Sequence, residues 1–296
     1  MRREVVAWRD HLTADPAAGG LALAPATVNA HLASLSGFTT WVIAHTPAVL
    51  PHGNPCAKVT DLPLPPLEPR ALSEAQVRSL KNVLDRLERF HQHKGRHRRG
   101  EAGTHGHGRP QRDRALVYVL LSTGLRREEL VRLDLDQLAP VTPDELRASR
   151  RARISGVRGK GRTSRHVFLS LDARTALADY LEHERPRDAD QATTALFLSA
   201  ASIGSRRPDG RLSPRSINLI CEQIGRWHDA EHTDPTRHLA PLRPHDLRHT
   251  FAFRLATETG SDAYELQRRL GHQSQRYIDR YTNPPEDIAA GYVERL

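Results

Sequence analysis

The stretch DRALVYVLLSTGLRREEL, residues 113–130, is the clearest indication of how this chain folds. Residues 115–121 are apolar throughout, which is typical of a helix that is buried on every side. Gly124 is suited to the left-handed conformation that commonly ends a helix. A second helix is predicted to follow at once, over residues 126–133. The stretch therefore predicts a buried helix, a tight turn and then a charged helix.

Helical patterns extend from this stretch in both directions. Apolar residues recur at three- and four-residue steps over residues 25–45, and Ser73 is a capping residue that begins another such run. Residues 151–170 instead resemble a hairpin that turns at residues 159–161. We predict a mainly α fold with a small antiparallel β-sheet (α+β). Its further helices are expected over residues 4–13, 173–183, 213–229, 245–258, 262–271 and 274–281.

The proline-rich stretch LPLPPLEP, residues 62–69, is predicted to be an interdomain linker. Each proline ring removes a backbone donor and restricts the residue before it, so the stretch cannot sustain a helix. We therefore predict two domains, with residues 1–66 as a small helical segment and residues 67–296 as the main domain.

A tract rich in histidine and glycine, residues 91–110, interrupts the helical pattern of the main domain. Clustered histidines can bind a metal ion, but no spacing in the tract favours a particular ligand geometry. We predict a solvent-exposed loop here.

The positive charge of the chain is concentrated after the predicted linker. The 296 residues contain 44 Lys and Arg against 35 Asp and Glu, a formal net charge of +9 at pH 7. Residues 1–70 hold five basic and five acidic side chains, whereas residues 147–165 hold eight basic side chains and no acidic one. This distribution indicates a polyanionic partner for the main domain.

The composition also bears on location. No run of about 18 apolar residues is present, so no membrane span is predicted. The start of the chain lacks the apolar segment of an export signal. Two cysteines, Cys56 and Cys221, cannot form several bridges. These features predict a cytoplasmic protein.

Two pairs of residues are candidates for binding a phosphate. Arg126 and Glu129 stand three apart at the start of a predicted helix, and His245 and Arg248 have the same spacing just after a proline. The fork of an arginine matches phosphate oxygens in a way that lysine does not. Two forks from separate helices could clamp one phosphodiester, although a surface pair is the alternative for Arg126 and Glu129.

Tyrosine and lysine side chains are candidates for covalent chemistry. A phenol is a weak nucleophile at its usual pKa of about 10, but arginines around a phosphate stabilise the phenolate. Spacing alone does not show whether Tyr277 or Tyr281 is the better candidate nucleophile, so comparison with known motifs must decide. Lys160, between two glycines at the predicted turn, could donate a proton to a leaving oxygen or could be an ordinary solvated side chain.

These motifs occur in a characteristic order along the chain. They read TGLR at residues 123–126 with Glu129, GKG at 159–161, HDLRH at 245–249, LGH at 270–272, and then Tyr281. Each motif is weak alone, but in this order the chain resembles the tyrosine recombinase family, which includes phage integrases and Xer-like site-specific recombinases. The resemblance covers roughly residues 70–285, and parts of residues 27–55 resemble the end of that family's core-binding domain.

The resemblance implies a role for each residue around the phosphate. Arg126 and Arg248 would bind the scissile phosphate, and Glu129 would support them structurally. His245 would assist as acid or base, and His272 would hydrogen-bond the phosphate.

The resemblance also implies the reaction itself. Tyr281, rather than Tyr277, would be the nucleophile that forms a 3′-phosphotyrosyl link, and Lys160 would protonate the 5′ oxygen as it leaves. Because the link retains the energy of the phosphodiester, the reaction would need neither a nucleoside triphosphate nor a metal, and no cofactor is expected.

The resemblance also implies partners for the chain. They are double-stranded DNA, further copies of the chain forming a dimer to tetramer on DNA, and an accessory DNA-bending factor; no membrane partner is expected. The family's core-binding domain usually has four helices and is often basic, whereas residues 1–66 predict about two helices and no net charge. We therefore expect a catalytic domain preceded by a shortened core-binding segment, which is either a truncation of the chain or an unusually short DNA clamp.

Three alternatives use the same residues differently. A type IB topoisomerase shares the chemistry but relaxes supercoils, and a non-catalytic DNA-binding regulator could use the same scaffold. A zinc enzyme using His245 and His249 is a third, although no further ligand is placed by the sequence. The motif order and the complete set of catalytic residue types favour the recombinase.

Overall fold

The computed structural model describes residues 1–64, 70–97, 108–159, 164–190 and 193–271. The chain divides into two compact units, Met1–Glu68 and Pro69–Leu296. The division falls within the proline-rich stretch. The assignment of the first unit to DNA binding stays a prediction.

The first unit is built on two helices, α1 (Arg2–Thr13) and α2 (Pro25–His45), at the places that the sequence predicts. The side chain of Asn29 in α2 forms two hydrogen bonds with the backbone of Leu62. Its amide donates to the carbonyl of Leu62 (2.9 Å), and its side-chain oxygen accepts from the N–H of the same residue (2.8 Å). The small core of the unit consists of Val5, Leu12, Val28, Leu32 and Cys56.

The second unit is mainly helical and is centred on the buried helix predicted within residues 113–130. Its helices are α3 (Glu74–Leu84), α4 (Leu87–His97), α5 (Pro110–Thr123), α6 (Arg127–Val131), α7 (Pro143–Ala148), α8 (Leu171–His183), α9 (Arg185–Asp188), α10 (Pro214–Ala230), α11 (Pro244–Glu258) and α12 (Ala263–Leu270). Helix α5 is buried along most of its length and packs against α8, α11 and α4. The predicted central helix is therefore confirmed, and α7 and α9 are short helices that were not predicted from the sequence.

A small antiparallel sheet completes the second unit. It contains β1 (Leu138–Ala139), β2 (Arg153–Arg158) and β3 (Ser164–Phe168) in that order. Ile154 pairs with Leu138 on one side and with Val167 on the other, and all three side chains are buried. The sheet thus has one core face and one outer face, and the predicted α+β class is confirmed.

The histidine-rich tract differs from its prediction. Helix α4 continues to His97, so the loop predicted from residue 91 is wrong for its first part. Phe90 and His91 pack on Trp227 of α10, with ring centroids 5.6 Å and 5.1 Å from the indole. This packing stabilises a helix in a segment whose composition is typical of solvated loops. Residues 98–107 lie outside the described residues.

Candidate active site

A cleft of about 620 Å³ lies where the start of α11 meets the start of α6 and one side of α10. It is lined from three separate parts of the chain, which the fold brings together. Two acidic residues, Glu128 and Glu222, also line it. The basic and imidazole side chains that line it are Arg126, Arg127, Arg243, His245 and Arg248.

Gly124 sets the direction in which the chain enters this cleft. Its φ of +59° ends α5 in the left-handed region, and a Cβ at this position would lie 2.4 Å from Cδ1 of Phe251. Arg126 follows as the residue that precedes the first turn of α6, rather than as a residue within a longer helix. The turn therefore requires glycine both for its conformation and for the space beside α11.

Arg126 and Glu129 form the pair that their spacing predicts. The backbone N–H of Arg126 donates to Oε2 of Glu129 (2.8 Å), and Nη1 of the arginine donates to Oε1 (3.1 Å). The carboxylate thus caps the first turn of α6 and also orients the guanidinium. The Arg126 side chain is 35% exposed, which leaves it accessible from the cleft.

Arg248 is held from the opposite side of the cleft by α11. It is 1% exposed, and it donates to the carbonyl of Gly124 (2.5 Å) and to the carbonyl of Leu270 (2.9 Å). A buried charge is stable only when its polar atoms are satisfied. Both carbonyls belong to helix ends, where the backbone leaves oxygen atoms without a partner in the helix. Arg248 therefore ties the end of α5 to the end of α12.

The two histidines of the HDLRH motif have different surroundings. His245 is exposed in the first turn of α11 and lines the cleft, whereas His249 is buried. Their ring centroids lie 4.4 Å apart with the planes nearly perpendicular. Among the described residues, no three His, Cys, Asp or Glu side chains are grouped so that they could hold a metal ion. His245 is thus the histidine of the motif that can meet a molecule in the cleft.

Arg165 is a residue of this site that was not predicted from the sequence. It lies on β3, and its Nη1 and Nη2 donate to the two carboxylate oxygens of Glu129 at 2.9 Å and 2.7 Å. In the sequence it is one of several basic residues of the predicted hairpin. Its position two residues before the buried Val167 was the available indication, because alternate residues of a strand share a face.

The three arginines determine the ionisation of Glu129. Burial alone raises the pKa of this carboxyl group, but the hydrogen bonds and charge of Arg165, with the N–H of Arg126 and the charge of Arg248, outweigh burial and hold the pKa below its ordinary value. Glu129 is therefore ionised at neutral pH. One carboxylate among three guanidinium groups leaves the cluster positively charged and suited to bind an anion.

The structure brings three of the predicted site residues to one cleft: Arg126, His245 and Arg248. Lys160, His272 and Tyr281 lie outside the described residues, as does the helix predicted over residues 274–281. The described chain ends at Gly271, immediately before His272. The roles of all six residues stay predictions.

A family model described as the phage integrase family matches residues 102–287, which is more than half of the chain. The chain belongs to the phage integrase family. The matched region includes α5, the cleft residues Arg126 and Arg248, and Tyr281. In this integrase-family chain the matched region also covers α6 to α12 and the small sheet, all within the second unit.

Curated relatives of this integrase-family chain are named as Xer recombinases. It is 34% identical over 176 residues to the tyrosine recombinase XerC of Azotobacter vinelandii, an alignment that covers 58% of this chain and 48% of the relative. It is 36% identical over 173 residues to the tyrosine recombinase XerD of Mycobacterium tuberculosis, covering 58% and 47%. The chain spans about half the length of the curated relatives it matches.

Solved structures with a similar fold include two DNA complexes. The Tn1549 transposon integrase in complex with transposon right end DNA has a TM-score of 0.64 at 19% identity, covering 100% of this chain and 85% of that one. The XerH site-specific recombinase bound to palindromic difH substrate has a TM-score of 0.62 at 18% identity, covering 94% and 68%. At these identities the likeness establishes the fold. Within its described part, the chain contains no helix long and apolar enough to cross a membrane.

Proposed function

We propose that this chain is a site-specific DNA recombinase that cuts and rejoins DNA strands through a covalent link to Tyr281. The observation that carries the proposal is the convergence of Arg126 and Arg248 on one cleft from separate helices. A guanidinium fork matches the oxygens of a phosphodiester, and two forks stabilise the charge that develops in the transition state. Family membership and the Xer relatives support the same chemistry.

The proposed reaction exchanges one phosphate ester for another. The oxygen of Tyr281 bonds to phosphorus while the bond from phosphorus to the 5′ oxygen breaks. The phenol proton passes to His245, and Lys160 gives a proton to the leaving oxygen. A 5′ hydroxyl of another strand then attacks the phosphotyrosine, which reverses these steps. Because each ester bond replaces another, the reaction requires no nucleoside triphosphate and no cofactor is proposed.

The remaining assignments concern the phosphate and its surroundings. His272 donates a hydrogen bond to a phosphate oxygen, and Glu129 orients the guanidinium of Arg126. The 3′-phosphotyrosyl product stays within the same positively charged cluster as the starting phosphate. The cluster can therefore serve both cleavage and rejoining.

Double-stranded DNA is the proposed partner, and the basic residues 147–165 supply charge for it. Residues 1–66 act as a core-binding segment, and residues 67–296 as the catalytic domain. The active assembly is a dimer to tetramer of this chain on DNA, to which an accessory DNA-bending factor can be added. The compartment is the cytoplasm. The similar XerH and Tn1549 proteins are both described as bound to DNA, which supports this choice of partner.

The experiment that tests the proposal is covalent capture on nicked DNA. The protein is incubated with a pool of randomised duplexes that carry a nick. After cleavage, the short fragment that bears the 5′ hydroxyl dissociates at the nick, so that rejoining is prevented. Protein that stays attached to DNA in detergent is measured on a denaturing gel. We expect the wild-type protein to form the adduct, Tyr281→Phe to lose it and Tyr277→Phe to retain it.

Binding of the same DNA pool provides the control. Tyr281→Phe removes one hydroxyl group and leaves the arginines in place, so its affinity for DNA should equal that of the wild type. An adduct formed by Tyr281→Phe, or no adduct with the wild type, would contradict the proposal.

A further inference from the structure

We propose that Arg165 is a positioning residue of the cleavage site, which joins Glu129 to the end of α12 and so holds Arg126 in place. The inference rests on the proposed function and adds a residue to it. Within the described part of the chain, the hydrogen bonds of Arg165 connect it to the cleft through Glu129 and the backbone. Its effect is therefore on the arrangement of the site rather than on the reacting atoms.

The position of Arg165 within β3 places its charge inside the protein. Its side chain is 8% exposed, on the same face of the strand as Val167. A lone arginine on a core face would be costly, because a buried charge requires a partner. Glu129 is that partner and accepts both arms of the guanidinium fork.

The third nitrogen of Arg165 reaches another element. Its Nε donates to the carbonyl of Arg269 (2.9 Å), in the last turn of α12. The next carbonyl along, that of Leu270, accepts from Arg248. Two buried arginines thus bind consecutive carbonyls at the end of one helix, where the backbone lacks helical donors and carries partial negative charge.

Together the two arginines connect the end of α12 to two neighbouring segments, the end of α5 and the first turns of α6. One bridge runs from Gly124 through Arg248 to Leu270, and the other runs from Glu129 through Arg165 to Arg269. The first bridge contains a proposed phosphate-binding residue. The second contains only Arg165 and the carboxylate that orients Arg126.

Gly271 supplies independent evidence for this arrangement. It ends α12 with a φ of +64°, and a Cβ there would lie 2.8 Å from Nη1 of Arg165. The guanidinium therefore occupies the space that a side chain would need. A side chain at Gly271 would therefore displace the guanidinium of Arg165, and His272 follows this glycine directly in the chain.

Lysine cannot replace arginine in this position. One ammonium group cannot present two parallel donors to a carboxylate and a third to a separate carbonyl. If Arg165 is removed, Arg126 is the side-chain donor that Glu129 keeps among the described residues, and the carboxylate then draws Arg126 away from the phosphate. A displacement of about 1 Å within an active site costs roughly 100-fold in rate.

The test compares Arg165→Met with Arg185→Met, a matched control. Arg185 is also 8% exposed, but its guanidinium donates to the backbone carbonyls of Thr193, Ala195 and Leu196 rather than to Glu129. For each variant, the rate of adduct formation on the nicked duplex pool, the affinity for that pool and the thermal unfolding temperature are measured.

We expect Arg165→Met to form the adduct roughly 100-fold more slowly while it binds DNA like the wild type. Arg185→Met should lose thermal stability to a similar extent but keep its rate of adduct formation. The inference is wrong if both variants lose rate in proportion to their loss of stability, or if Arg165→Met keeps the wild-type rate.

Arg165→Lys covers the case in which the methionine variant does not fold. It retains the charge but lacks the fork, so its rate should also fall while DNA binding persists, and a wild-type rate would overturn the inference. A wild-type protein that forms no adduct would instead contradict the proposed function itself. The two failures are therefore distinguishable.

Discussion

The two faces of the small sheet place arginine in opposite surroundings. On the core face, Arg165 is buried and its guanidinium is engaged by Glu129 and by the end of α12. On the outer face, Arg153 is exposed and pairs across the strands with Phe168. Two further exposed arginines precede it beside a cavity of about 590 Å³. We call Arg150, Arg151 and Arg153 the outer arginine patch.

The difference shows that burial decides what an arginine contributes. A buried arginine with several fixed partners determines geometry, and losing one partner of a buried ion pair costs about 3–5 kcal/mol. An exposed arginine contributes charge that solvent and salt screen, and exposed ion pairs contribute about 0–1 kcal/mol. The inner arginines should therefore control the rate of cleavage, and the outer patch should control affinity for DNA.

The largest expected effect is that of Arg248→Gln. The substitution removes a proposed phosphate-binding group and both carbonyl hydrogen bonds of a fully buried side chain. Loss of one preorganised donor to a transition state lowers the rate by roughly 100- to 1,000-fold. Each carbonyl left without a partner costs about 1–3 kcal/mol. Single-turnover adduct formation measures the rate, and urea unfolding measures the free energy of unfolding. An unchanged rate would show that Arg248 is not part of the proposed site.

A smaller effect is expected from Glu129→Gln, and it depends on pH. Because the folded pKa of Glu129 lies below its ordinary value of 4.5, the carboxylate stabilises the folded state above that pH. This contribution is lost as the pH falls through the folded pKa. The difference in free energy of unfolding between wild type and variant should therefore be largest near neutral pH and should shrink under acid conditions.

Urea unfolding at a series of pH values below 7 checks this expectation. Other carboxylates, such as Asp188 and Asp229, also have lowered pKa values, but they are present in both proteins and cancel in the difference. A difference that stays constant with pH would show that Glu129 is not held ionised by its arginines.

The smallest effect on folding is expected from the outer arginine patch. Replacing all three residues by glutamine should change the free energy of unfolding by less than about 0.5 kcal/mol per residue, because the side chains are exposed. If the patch binds DNA, the slope of log affinity against log salt should become shallower by about 0.9 for each phosphate that is no longer neutralised. Filter binding at several salt concentrations measures the slope, and an unchanged slope would assign DNA binding to another surface.

Much of the fold can be predicted from local patterns. The all-apolar run of α5, the periodicity of α2 and the proline that begins α11 each indicate their element without reference to the rest of the chain. Local sequence pattern does not predict an element correctly where contact with a distant residue determines its conformation. Helix α4 extends into the histidine-rich tract because Trp227 packs against it, and no property of the tract itself indicates this packing.

Prediction of the candidate site from the sequence has the same limit, because it also depends on contacts between distant residues. Motif order and spacing predict Arg126, His245 and Arg248 as site residues, and the fold brings these three to one cleft, although their roles stay predictions. The role of Arg165 cannot be read in that way, because a basic hairpin and a buried ion pair use the same residue type. Only its partner on α6 distinguishes them.

The linear sequence is enough to specify the family, the α+β class and the order of the chemical groups, because these depend on residue type and spacing along the chain. The folded structure alone shows which arginines face inward and which carbonyls and carboxylate they bind. The physical reason is that desolvation makes a charge dependent on its immediate neighbours. At this site those neighbours come from three separate regions of the chain, which are α5 with α6, β3, and α11 with α12.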